Sequence, residues 1–104
     1  MPESTPENPG RNPHADISKL RLTIDEIDEQ IMGLINRRLM LAEQIGGLKK
    51  KGSMPVTDST REKEIIERLL QKNHGPLSDD GLAHIFAAII AEGRSVQKTD
   101  RQPK

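Results

Sequence analysis

Cysteine, tryptophan and tyrosine are absent from the 104-residue sequence, and Phe86 is its one aromatic residue. Without cysteine there is neither a disulfide framework nor a thiolate metal site. Without aromatic side chains there is no platform on which nucleobases could stack. No charge of one sign dominates either. The 16 basic residues balance 16 acidic ones, whereas a general nucleic-acid binder normally has a clear basic excess. No run is long or apolar enough to span a bilayer, and the N-terminus lacks the apolar core of a secretory signal, so a cytoplasmic protein is the expectation. His14, His74 and His84 are scattered without metal-ligand spacing, and no metal is expected.

What is present is helical periodicity. Residues 1–15 carry four prolines and no apolar pattern, and are read as a disordered tail, as is the polar stretch 99–104. The domain expected between them, residues 16–98, is roughly 80 residues long, a size at which a lone hydrophobic core is marginal. Leu20, Ile24, Ile27, Ile31, Leu34, Leu41, Ile45 and Leu48 fall on alternating steps of four and three, interrupted at Arg38. That is the seam of a long amphipathic helix. Asp16 or Ser18 can cap its start, and Lys49 to Lys51 followed by Gly52 suit its end. Such a helix is about 50 Å long at 1.5 Å per residue, against a diameter of ~30 Å for a compact domain of this size. One chain cannot cover it, so a second chain is expected along it.

A loop with Pro55 follows, then a second helix to about Lys72, capped by Asp58, Ser59 or Thr60; Ser59 and Glu62 have the spacing of a capping box. Gly75 and Pro76 break the chain in a turn. Ser78 caps a third helix to about Lys98, with Leu82, Ile85, Phe86, Ile89 and Ile90 expected to face inward. The fold class read from this order is all-α, three helices per chain (long, short, medium), with a second chain packed along the first helix.

Several residues break the apolar pattern. Arg38 stands where the seam asks for leucine. It is either a buried polar group that fixes register, a side chain snorkelling to the seam's edge, or a cation facing an anion pocket. Lys49 lies eleven residues later, three turns within about 20°, so it shares the face of Arg38 with Cα atoms ~16 Å apart. Two long side chains could clamp a small dianion between them; lysines at a helix C-terminus also simply offset the macrodipole. Arg21 is about 42 Å from Lys49 along the same helix. It reaches that pocket only from an antiparallel partner chain, and otherwise is a surface arginine. Gly46 and Gly47, each costing about 1 kcal/mol inside a helix, signal a close helix crossing or close approach to a ligand. Asp58, Arg61 and Glu62 surround the first turn of the second helix, where capping and dipole roles compete with ligand contacts. Gln97 extends the face of Phe86, Ile90 and Gly93 with an amide.

Together, Leu20-Arg21-x6-Asp28, Arg37-Arg38, Ile45-Gly46-x2-Lys49, Pro55-Val56-x-Asp58-x2-Arg61-Glu62 and Phe86-x2-Ile89-Ile90-x6-Gln97 resemble the AroQ-type chorismate mutases. The likeness is to the short bacterial form also found at the front of chorismate mutase–prephenate dehydratases, and it covers about residues 20–97. No single segment is specific, but their order and spacing are. The resemblance implies an intertwined homodimer with two equivalent sites that rearranges chorismate to prephenate without a cofactor, on the route to phenylalanine and tyrosine. It implies that Arg38 and the partner chain's Arg21 bind the two carboxylates, and that Lys49 and Gln97 hydrogen-bond the ether oxygen of the breaking bond. By the same resemblance Glu62 would take the ring hydroxyl and Asp58 and Arg61 would complete that end, while Asp28, which also matches the pattern, is read as structural support. One departure is Gly93, where similar members often carry a serine that contacts a carboxylate.

Such chemistry needs only charged and polar groups. A [3,3] rearrangement is unimolecular, so holding the dianion in its compact conformer and stabilising charge on the ether oxygen are what help. Two other readings share the residues: an isochorismate pyruvate lyase on the same fold, and a non-catalytic helical dimerisation module.

Overall fold

In the computed structural model, which describes residues 12–99, the chain forms three α-helices: α1 (Pro13–Lys51), α2 (Ser59–Lys72) and α3 (Asp79–Lys98). The expected all-α, three-helix chain is borne out. The first helix starts earlier than expected. Asn12, not Asp16 or Ser18, is its cap, with Asn12 Oδ1 accepting from the His14 amide at 2.9 Å. Pro13 takes the first helical position, where a missing N–H costs nothing because that group has no intrahelical partner. Residues 13–15 of the expected tail are therefore helical. The rest of that tail up to residue 11, and residues 100–104, lie outside the described residues.

The chain divides after Gly33 into two compact units, with α1 contributing to both. In the first unit Leu20, Ile24, Ile27 and Ile31 lie bare on α1, and in the second Leu34, Leu41, Ile45 and Leu48 do the same; their exposures run from 46% to 66%. Among the described residues no helix is long and apolar enough to cross a membrane.

The second unit holds the core: Ala42 from α1, Ile65 from α2, and Leu82 and Ile90 from α3 are its buried apolar residues. Of the other positions expected to face inward on α3, Phe86 and Ile89 are half-buried while Ile85 is exposed. Ile85 lies about 140° around the helix from Ile90, too far for both to meet one neighbour.

Each turn has an identifiable cause. The first helix ends in a Schellman motif, with Met54 N–H donating to Lys49 O at 2.8 Å and Ser53 N–H to Lys50 O at 3.2 Å. The residue with left-handed backbone is Ser53, φ 55°, rather than Gly52. The cap of α2 is Asp58, whose Oδ1 accepts from the Arg61 amide at 3.0 Å. Ser59 therefore does not cap, and Glu62 is released from the expected capping box. Asn73 braces the next turn from both ends, accepting from the Gly75 amide and donating to Leu77 O. Ser78 then caps α3 through the Gly81 amide, as expected.

The two adjacent glycines of α1 have opposite environments. A Cβ on Gly46 would lie 2.8 Å from Gln97 Cα and 3.1 Å from Gln97 O, so α1 and α3 cross there backbone to backbone. A Cβ on Gly47 would meet nothing within 4 Å. Chemical denaturation should separate them by sign. Gly46→Ala is expected to destabilise by about 1–3 kcal/mol through overpacking, and Gly47→Ala to stabilise by about 0.5–1 kcal/mol through helix propensity.

Candidate active site

The Gly46 crossing sets what lies around it. One turn before Gly46, Ala42 is buried, and three residues after it Lys49 is half-buried. Because the backbones nearly touch, Lys49 meets Gln97: Nζ donates to Gln97 Oε1 at 3.0 Å. The Schellman turn brings the loop back under the helix end, and Nζ also donates to Val56 O at 2.8 Å. Two of the three ammonium protons are thereby committed, leaving one donor. The contact also fixes the amide of Gln97, since only its oxygen can accept from an ammonium; the Nε2 hydrogens remain available. Gln97 is thus neither frayed nor idle.

These groups line a cleft of about 410 Å³ whose wall includes Arg38, Leu41, Ala42, Ile45, Lys49, Val56, Asp58, Arg61, Glu62, Ile65, Ile90, Gly93, Arg94 and Gln97. Six residues singled out in the sequence, Arg38, Lys49, Asp58, Arg61, Glu62 and Gln97, are brought together on it. Arg21 is exposed on α1 within the other compact unit and is not among the lining residues.

The polar lining is asymmetric in charge. Arg38, Lys49, Arg61 and Arg94 face only two carboxylates, Asp58 and Glu62. Asp58 Oδ1 is committed to capping α2. Glu62 is bound by Arg94, Nη1 to Oε1 at 2.7 Å, in a pair whose side chains are 33% and 25% exposed. The net field inside the cleft is therefore positive, though the chain as a whole is neutral. A cavity of this size, with apolar walls and a few convergent polar groups, suits a small anionic molecule.

Arg94 was not singled out from the sequence. One signal was available: Ile90, Arg94 and Gln97 fall on steps of four and three, so Arg94, like Arg38 in α1, is a charge within an apolar stripe.

A family model described as chorismate mutase type II matches residues 20–98. The chain belongs to that family. Among its relatives, the chorismate mutase of Methanocaldococcus jannaschii is 34% identical over 84 residues, covering 79% of this chain and 84% of that protein. The bifunctional chorismate mutase/prephenate dehydratase of Aquifex aeolicus is 38% identical over 87 residues, which is 80% of this chain but 24% of that protein. The chain thus spans about a quarter of the bifunctional relatives it matches. A solved structure of chorismate mutase from Thermus thermophilus superposes with a TM-score of 0.80 at 28% identity, covering 84% of this chain and 99% of the other.

Gly93, where the resemblance leads one to expect a serine, leaves a modest space. A Cβ there would lie 3.5 Å from Arg38 Nη1 and 3.9 Å from Ala42 Cβ, ordinary contact distances. Gly93→Ser is accordingly expected to fold with stability equal to or up to about 1 kcal/mol above the parent, the gain coming from helix propensity. Thermal unfolding checks this, and a loss would mean that Arg38 needs the space.

Proposed function

We propose that this chain is a chorismate mutase, rearranging chorismate to prephenate as a homodimer whose sites are shared between chains. The observation that carries the reading is Lys49, pinned by Val56 O and Gln97 Oε1 beside an otherwise cation-rich cleft. In the reaction the ether C–O bond breaks while a new C–C bond forms, with no atom gained or lost. The cleft has to hold one flexible dianion in a chair-like conformer, which is a positioning task. Negative charge then builds on the ether oxygen. The third proton of Lys49 and the free Nε2 of Gln97 are donors already fixed in place, so they favour the transition state over the ground state. Arg38 takes one carboxylate, with Gly93 leaving its guanidinium room. Glu62 accepts from the ring hydroxyl, and Asp58 with Arg61 closes that end.

The second carboxylate is assigned to Arg21 of a partner chain. Support comes from the bare apolar seam of α1. Eight leucines and isoleucines at least 46% exposed would each gain about 1 kcal/mol on being covered, and the buried core of a single chain is small. A second copy lying antiparallel along that seam covers it and carries Arg21 toward the cleft.

Incubation with chorismate and, separately, isochorismate tests the activity. Prephenate from chorismate supports the proposal. Salicylate and pyruvate from isochorismate, with chorismate untouched, would replace it with the lyase reading; no turnover of either would leave a binding module. Lys49→Ala is expected to lower kcat about 100- to 1000-fold, the usual cost of one preorganised donor, with the helical circular dichroism signal retained. Mixing Arg21→Ala with Arg38→Ala chains should restore part of the activity, because one site in each mixed dimer receives both arginines. Failure to do so despite measured subunit exchange would remove Arg21 from the site.

A further inference from the structure

Arg94 stands in the wall of the cleft without a part in the scheme above. Its Nη1 donates to Glu62 Oε1 at 2.7 Å, joining α3 to α2 in a pair that is mostly but not fully shielded from solvent. The bond engages one oxygen of Glu62 and leaves Oε2 able to accept from another donor. The proposed ligand is a dianion, however, and a bare carboxylate in the same small cleft would repel it. At a separation of ~6 Å and an effective dielectric of about 20, that repulsion corresponds to roughly 10- to 100-fold in affinity.

We propose that Arg94 is a positioning residue. It offsets the charge of Glu62 and holds one of its oxygens, so that a carboxylate can serve as a hydrogen-bond acceptor inside an anion-binding pocket. The inference rests on the reading of the cleft as a chorismate site. It explains why an ion pair of the cleft involves a residue to which the scheme above gives no contact with the substrate. It also separates two roles for cations here: Arg38 and Lys49 attract the ligand, whereas Arg94 cancels a repulsion.

Steady-state kinetics with chorismate on Arg94→Gln, Glu62→Gln and the double variant tests this. Arg94→Gln should raise KM about 10- to 100-fold with a smaller change in kcat, and the rise should shrink as ionic strength increases. Adding Glu62→Gln, which keeps an acceptor oxygen but removes the charge, should bring KM back to within about 5-fold of the parent, a conversion of 1 kcal/mol. Arg94→Lys should keep most of the affinity. A merely structural tie between α2 and α3 predicts a lower melting temperature and no rescue by Glu62→Gln, since that change cannot restore the tie. An unchanged KM in Arg94→Gln, or no rescue in the double variant, overturns the proposal while leaving the chorismate reading intact. An inactive parent chain overturns both. Should Arg94→Gln fail to fold, Arg94→Met carries the same comparison.

Discussion

The approach of α1 and α3 at Gly46 and Gln97 is the contact on which the rest of the site depends. With a Cβ position only 2.8 Å from the opposing Cα, the two backbones touch with no side chain between them. That proximity is what lets a lysine one turn further along α1 reach an amide on α3. A wider crossing would leave Lys49 held by Val56 O alone, and an ammonium on a four-carbon stem would then have more rotamers to lose on binding. Here that entropy is lost on folding, before any ligand arrives, and the donors are already aimed. The same crossing buries Ala42 and Gly93, small residues that leave room for the guanidinium of Arg38 between the helices.

Much of this was legible in the sequence, for reasons that differ by residue. The helices were readable because apolar spacing and local stop signals are short-range properties; Ser78 and Lys98 bound α3 as expected. The start of α1 is less legible, because Pro13 continues the proline spacing of the tail although proline is well suited to a first helical position. The cap of α2 was open among three neighbours. The choice of Asp58 over Ser59 depends on backbone angles that no pattern of residue types reveals. Arg38 and Gln97 could be singled out because each disturbs a stripe, and Lys49 because helix geometry puts it on the face of Arg38; only the family resemblance joins Gln97 to the two cations. Arg94 disturbs a stripe too, but its partner, Glu62, lies 32 residues away on another helix, and nothing local announces that meeting.

The cleft reconciles two opposing needs. Recognition of a dianion favours cations, while recognition of a hydroxyl favours an acceptor, and the strongest acceptors are themselves anions. Four cations and two carboxylates line the same space, and both carboxylates are engaged: Asp58 by the end of a helix, Glu62 by a guanidinium. The field seen from the middle of the cleft stays positive without the acceptors being absent. Neutrality of the whole chain and basicity of one site are thus compatible, because charge is arranged locally.

The loop from Gly52 to Thr57 does more than connect two helices. Lys49 is held by the carbonyl of Val56, a group every residue type possesses, so the identity of the side chain at that position matters little to the ammonium. What matters is how many residues separate the helix end from that carbonyl. The Schellman turn at Ser53 sets the chain's exit direction, and the three residues from Met54 to Val56 act as a ruler. A change of side chain at Val56 therefore alters one patch of the cleft wall but not the grip on the ammonium, whereas insertion or deletion of a single residue would move the ammonium itself.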